Sequence, residues 1–387
     1  MAGSRRVAFV HGVPVGVGGL GVEAAHSLRA LADGAREVHA IGPGAAPGFV
    51  APPNVTWHVA PSGWGHVIQR SPARRAAGLL QRMIDGHIGR FAAARAQTLA
   101  PDLCYAFSQV ALETLEWARA NGVAGVLENA NGHMRGFRDV YVSETARWCG
   151  GTYLGHPTGA MVERAEREYA TATTVRVSSE WAHRSMVAHG VPPDRVVALP
   201  QPLDLVKYSP RRRETPRSGA FRLCYVGALD LRKGFGYLLQ AARKTTAPVA
   251  ITLVGGTGDR CSKRVLDRER QGLQVDVAPG DPRDALSGAD LFVLPTLEDG
   301  WAFALIEAMA SGVPVVTTSS AGAAQWVRHG QTGWVVEPRS ASALATAINE
   351  AIARRKDLPA MGAAARADVE ARVSECHTQV AAWVAGL

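Results

Sequence analysis

The chain is short of aromatic residues, which make up 6% of its 387 positions. It has no uninterrupted run of the roughly 18 apolar residues that a membrane-spanning helix requires. It also lacks a CxxC pair, an Asp-x-Asp triplet and any His/Asp cluster with metal-ligand spacing. Its five cysteines, Cys104, Cys149, Cys224, Cys261 and Cys376, are odd in number and scattered, which argues against a disulfide framework and against a structural zinc. Lys and Arg outnumber Asp and Glu by 42 to 34, a net charge of +8. That excess suits an anionic partner such as a nucleotide or an acidic lipid surface. The scarce aromatics, and the absence of zinc-finger, RRM-like or basic-zipper patterns, argue against nucleic acid. The N-terminal MAGSRRVAFVHGVPVG is interrupted by His11 and Pro14 and reads as a first strand, not a leader. The expected location is therefore cytoplasmic.

What is present is an α/β composition: 47% hydrophobic residues and 41 glycines. The length fits two domains of about 150–200 residues. Strand Val7–Val10 leads into a loop holding Gly12, Gly16, Gly18, Gly19 and Gly21, then a helix from Val22 to Leu31 and strand Val38–Ile41. An Arg- and Ala-rich helical stretch covers 70–100, followed by strands Leu103–Phe107, Val123–Leu127 and Thr174–Val177. From Leu199 to Ala220 the text is Pro- and Arg-rich without periodicity, as in a linker. Alternation resumes with strand Phe221–Val226, helix Gly236–Lys244 and strands Val249–Val254 and Leu291–Leu294. Helix Ile306–Ala310 and strand Val313–Thr317 follow. Strands alternating with helices predict parallel sheets. The expected domains are 1–203 and 204–370, with the terminal helix, about 371–387, packing back on the first.

Gly16-x-Gly18-x-x-Gly21 formally matches a dinucleotide fingerprint, but the second strand ends Ala40-Ile41-Gly42 without the acid that would hold a ribose. The loop fits as well a bare backbone that a phosphate or sugar approaches closely, or a tight turn. Lys233, beside Gly234 after the first strand of the second half, can set a point charge on a diphosphate, or be a solvated turn residue. Most informative is PTLEDGWAFALIEAMASGVP, residues 295–314. A strand end there passes through an acidic turn into a helix, whose free N–H groups can hold an anion. Asp299 and Glu307 bracket that turn, and a half-buried carboxylate such as Glu307 needs a partner, for which ribose hydroxyls serve.

These segments, in this order, resemble the retaining GT-B glycosyltransferases of glycosyltransferase family 4. The resemblance is strong in the second half: FRLCYVGALDLRKGFGYLLQA, LVGGTGD, RDALSGADLFVLPT, EDGWAFALIEAMASGVPVV and GQTGWVVEP. It is thinner in the first, through the glycine loop, ENANGH (Glu128 to His133), EREYATATTVRVSSEWAHRSMVAHGV and PQPLDLVKYSP. It implies two Rossmann-like domains facing across a cleft, with acceptor on the first and nucleotide-sugar donor on the second. Glu307 would hold the donor ribose, Asp299 and His133 the transferred sugar, and Lys233 the diphosphate above Gly18-Gly19. Gly227, Arg232 and the segment Gly300, Trp301, Ala302 and Phe303 would complete the donor site. There are departures: Ala228 stands where many relatives have Arg, and Trp301-Ala302 replaces the commoner Phe-Gly. The first leaves Arg232 to supply the second positive charge, or else diphosphate binding is weaker.

The implied reaction is transfer of a sugar, most readily UDP- or GDP-linked, to a hydroxyl of a small molecule, glycan or lipid-linked acceptor, with no metal and no cofactor. Arg135, Arg138 and Tyr141 are acceptor candidates. The basic segment 66–100 suits either an ordinary solvated helix or peripheral contact with an anionic membrane. Rival readings are an epimerase or phosphorylase on the same scaffold, a dinucleotide-dependent oxidoreductase, and an impaired relative acting as a sugar-nucleotide sensor.

Overall fold

The computed structural model describes residues 5–34, 37–61, 77–153, 155, 157–211, 219–278 and 280–387. Two parallel sheets organise them. The first is seven-stranded, in the order β3-β2-β1-β4-β5-β6-β7. Its strands are β1 (Arg6–Val10), β2 (Glu37–Gly42), β3 (Val55–Val59), β4 (Leu103–Phe107), β5 (Ala124–Glu128), β6 (Thr174–Val177) and β7 (Val196–Ala198). The second is six-stranded, in the order β10-β9-β8-β11-β12-β13. It comprises β8 (Phe221–Val226), β9 (Val249–Val254), β10 (Gln274–Ala278), β11 (Leu291–Leu294), β12 (Val315–Thr318) and β13 (Gly333–Val336). Every strand pairing is parallel. Helices therefore cover both faces, which is why LCYAF of β4 and LFVL of β11 are buried at every position instead of alternating.

Each sheet builds its own core, one around Phe9, Ile41 and Tyr105, the other around Tyr225, Phe292 and Ile306. Two helices belong to both cores. Met134–Cys149 starts in the first with Met134 and ends in the second with Trp148. The 29-residue terminal helix Leu358–Gly386 buries Leu358, Met361 and Val369 in the second core and Val384 in the first. Its Trp383 meets Tyr105 edge-on, ring centroids 6.4 Å apart. The linker is not a solvated tether where it is described. Gln201 is buried, Leu203 and Tyr208 enter the second core, and Arg366 binds the Leu205, Tyr208 and Ala310 carbonyls.

Of the basic segment 66–100, residues 66–76, and with them Arg70, Arg74 and Arg75, lie outside the described residues. The rest is a packed helix, Ala77–Leu99, with Ile88 and Ala92 in the first core and Arg82, Arg90 and Arg95 exposed. One sequence expectation is corrected: Cys149 and Cys261 form a disulfide, their Cα atoms 6.1 Å apart. Their 112-residue separation hid the pairing from any spacing argument.

Candidate functional site

In each sheet the strand order reverses beside the first strand, between β1 and β4 and between β8 and β11. Loops leaving such strands diverge and open a crevice at their carboxyl ends. In the second sheet these are the loops 227–234 and 295–302, and they bring Lys233 to Asp299. Lys233 Nζ forms an ion pair with Asp299 Oδ2, both side chains largely covered. Asp299 Oδ1 accepts from the Ala302 amide at 3.0 Å. Burial alone would raise the pKa of Asp299, but Lys233 and Arg232 outweigh it and hold the carboxyl below its ordinary value. The Asp299 carboxylate is thus a fixed anion.

The loops are fixed from both sides. Asp230 caps the short turn Leu231–Lys233 by accepting from the Lys233 amide at 2.9 Å, and Gly234 closes it at φ +73°. A Cβ on Gly234 would stand 2.0 Å from the Pro295 carbonyl oxygen, so only glycine lets the two loops meet. Ala302 also sits at positive φ, +65°, and opens helix Phe303–Ala310. That helix has no side-chain cap. The first N–H groups of a helix have no intrahelical acceptor and suit an anion. Glu307 lies one turn into that helix, hydrogen-bonded to the Tyr208 hydroxyl; burial raises its carboxyl above the ordinary value despite that bond.

Arg232 occupies a different place from the one its neighbourhood suggested. Its Nη1 donates to the Glu298 carbonyl at 2.6 Å and to Glu298 Oε2 at 3.1 Å, and its guanidinium lies over Phe137, 4.8 Å from the ring centroid. It is committed to these contacts rather than standing free as a second diphosphate charge. Trp301 is 2% exposed and packs edge-on against Trp326. The Ala302 amide, taken up by Asp299, is not free for a ligand. Gly227 has φ +151°, and Ala228 beside it is exposed.

The first domain meets this site directly. Glu298 is buried and accepts from the Gly132 amide at 2.9 Å. A Cβ on Gly300 would lie 2.0 Å from the Ala130 carbonyl oxygen, and Ser179 Oγ donates to the Gly300 carbonyl at 2.7 Å. His133 is buried as the N-cap of helix Met134–Cys149, its Nδ1 accepting from the Arg135 amide at 3.2 Å. Burial, with His189 stacked 4.5 Å away, pushes its pKa down to about 4, so the ring is neutral at pH 7. Gly18 and Gly19 are exposed in the first turn of helix Gly18–Asp33, which also has no side-chain cap. His26 of that helix faces Phe303, ring centroids 6.1 Å apart.

The acceptor candidates separate. Tyr141 reaches the site: its hydroxyl donates to Asp230 Oδ2 at 3.2 Å and accepts from Arg232 Nε at 3.4 Å. Arg135 is exposed and paired with Glu166 at 2.6 Å. Arg138 is half-buried, with its Nε unpartnered in the protein. Among the described residues no group of three or more His, Cys, Asp or Glu is placed to hold a metal ion.

Residues 220–354 match the family model described as glycosyl transferases group 1. The amylovoran biosynthesis glycosyltransferase AmsK of Erwinia amylovora is 27% identical over 220 residues, covering 51% of this chain and 52% of that one. The chain thus spans about half the length of the curated relatives it matches. Solved structures are similar over nearly the whole molecule. A sucrose-phosphate synthase from Thermosynechococcus elongatus superposes with a TM-score of 0.72 at 18% identity, covering 97% of both chains. Anabaena HepE in complex with UDP-glucose gives 0.70 at 16% identity, covering 99% of this chain and 100% of that one. By fold, then, the chain is a two-domain GT-B protein whose second domain is similar in sequence to the group 1 glycosyl transferases.

Proposed function

We propose that the protein is a retaining, metal-independent glycosyltransferase. It moves a sugar from a UDP- or GDP-linked donor to a hydroxyl of a small-molecule, glycan or lipid-linked acceptor. One observation carries this reading: Lys233 and Asp299 are paired at the strand-order reversal of the second sheet, within the segment that matches the group 1 family and that also carries Glu307. The similarity to a HepE structure holding UDP-glucose supports the choice of donor class.

In this reading Glu307 exchanges the Tyr208 hydroxyl for the ribose hydroxyls. Lys233 and the unsatisfied N–H groups opening helix Phe303–Ala310 face the diphosphate, with Gly18-Gly19 on the opposite wall. Asp299, held anionic, receives hydroxyls of the transferred sugar, and the neutral His133 offers a hydrogen bond from the acceptor side. The anomeric C–O bond breaks as the acceptor oxygen forms its own on the same face. The acceptor proton passes to an oxygen of the departing diphosphate, so no protein base is required. The protein's part is fixed charge where charge develops and exclusion of water by the facing domain. The exposed Arg82, Arg90 and Arg95 with exposed Met83 support a lipid-linked acceptor at an anionic surface.

The test is incubation with UDP-, GDP- and ADP-sugars, following thermal stabilisation and nucleoside diphosphate release. Release that Glu307→Ala abolishes and Lys233→Ala lowers by about 100-fold is the expected result. Stabilisation by NAD(P) and by no sugar nucleotide would sink the proposal. Binding without release across many acceptors assigns the sensor role, which Ala228 and the committed Arg232 favour.

A further inference from the structure

The Cys149–Cys261 bond joins the last residue of helix Met134–Cys149 to the second residue of helix Arg260–Glu269. The first of these helices connects the two cores and touches the donor loops along its length. Phe137 and Tyr141 hold Arg232 and Asp230. One turn on, Glu144 Oε2 accepts from Tyr237 Oη at 2.8 Å, and Glu144 Oε1 from Arg339 Nε at 2.7 Å. Beyond it Trp148 packs edge-on to Tyr237, with Arg268 over its ring. The bond thus locks the end of a clasp by which the first domain holds the loop carrying Lys233. Its setting differs from that of the other cysteines. Cys104, Cys224 and Cys376 are free and buried, whereas Cys149 and Cys261 are half-buried beside exposed Gly150, Gly151 and Arg260.

We propose that Cys149 and Cys261 form a reversible thiol–disulfide site that sets how firmly the Met134–Cys149 helix clasps the second domain. Oxidised, the helix cannot peel from its carboxyl end. Reduced, it is held there by noncovalent contacts only, among them those of Ser143, Glu144, Arg147 and Trp148. The exchange is a two-electron step. One dithiol, or two molecules of a monothiol, attacks a disulfide sulfur through a mixed disulfide and leaves as its own disulfide, while two protons end on Cys149 and Cys261. The exposed Arg260, Lys263 and Arg264 form a positive surface for an attacking thiolate. The consequence for the donor rests on the proposed function: with the clasp loosened, the Asp230–Lys233 loop is less fixed, so donor binds more weakly and leaves faster.

Two measurements test this on the full chain purified without reductant. Alkylation under denaturing conditions, followed by mass analysis, is expected to modify three cysteines before reduction and all five after it. Hydrogen exchange in the native state is expected to rise by about tenfold in the last turns of Met134–Cys149 on adding dithiothreitol, and to return with oxidised glutathione. The double variant Cys149→Ser/Cys261→Ser should exchange like the reduced protein and ignore dithiothreitol. Five alkylated cysteines before reduction, a bond that native-state dithiothreitol leaves intact, or exchange unchanged by reduction would each overturn the proposal. None of these readouts uses a sugar nucleotide. A protein that shows them yet binds no donor refutes the glycosyltransferase reading and leaves the redox site standing.

Discussion

Glu298 Oε1 accepts a hydrogen bond from the Gly132 amide at 2.9 Å, across the boundary between the domains and 166 positions apart in sequence. The other oxygen of the same carboxylate takes Arg232 at 3.1 Å. Glu298 is therefore a junction between the loop that precedes His133 and the loop that carries Lys233. Glu298→Gln keeps an acceptor for Gly132 but removes the charge that Arg232 faces. A largely buried guanidinium left without its anion costs about 3 kcal/mol. Urea denaturation should show a loss of that size, with little change in the slope, and the donor affinity should fall with it.

Gly300 is a point of close approach between the domains. An added Cβ would lie 2.0 Å from the Ala130 carbonyl oxygen, so Gly300→Ala must part the two loops. Sugar-nucleotide turnover is expected to fall by about 100-fold, because small displacements of bound groups are costly to rate. The melting temperature should change little, since each core stays intact. Gly258→Ala, into open space, is the control.

Ala228 offers the opposite test, a gain. It is exposed, and only its backbone carbonyl is engaged, by the Tyr225 hydroxyl at 2.7 Å. Ala228→Arg restores the positive charge common in the resembled family, while Arg232 stays with Glu298. Donor affinity should tighten by about tenfold, the effect of one charge-assisted contact to a phosphate. Equilibrium titration with UDP and GDP measures it. Unchanged affinity would mean the diphosphate does not lie near residue 228.

A fourth prediction concerns pH. Glu23 is a buried residue of the glycine-loop helix Gly18–Asp33 and accepts from Ser178 Oγ at 2.9 Å and Gln201 Nε2 at 2.8 Å. Burial and the neighbouring Glu128, against the pull of Arg176, raise its pKa from 4.5 to about 8. A raised carboxyl means the folded state binds a proton that the unfolded state has lost. Its contribution is thus full below the unfolded value and disappears as pH rises through about 8. Stability should fall between about pH 5 and 8, at up to about 1.4 kcal/mol per unit for this one proton, and level off above that range. Glu23→Gln mimics the protonated acid and should flatten that slope in pH-dependent melting curves.

Much of the scaffold was legible in the chain because it rests on local chemistry. Apolar runs of four to six residues such as LFVL and FRLCYV, each followed by a glycine turn and a helical pattern, leave a parallel sheet as the economical arrangement. Glycine at 234 and 300 marked points of close approach without saying what approaches. The helix at 303–310 started three residues before the expected Ile306, since Phe303 and Ala304 continue the same turn.

By itself, then, the sequence determined two α/β halves built from strands alternating with helices. Backbone hydrogen bonding and side-chain periodicity act over a few residues, and they suffice for that. Partner choice acts over separations from 25 to 166 residues, and the tertiary structure alone decided it. It gave Arg232 to Glu298 and Phe137, turned Trp301 against Trp326, placed Gly132 on Glu298, and bonded Cys149 to Cys261. A buried charge or ring takes whichever neighbour packing delivers, and that neighbour is fixed only when both sheets and the two shared helices are in place.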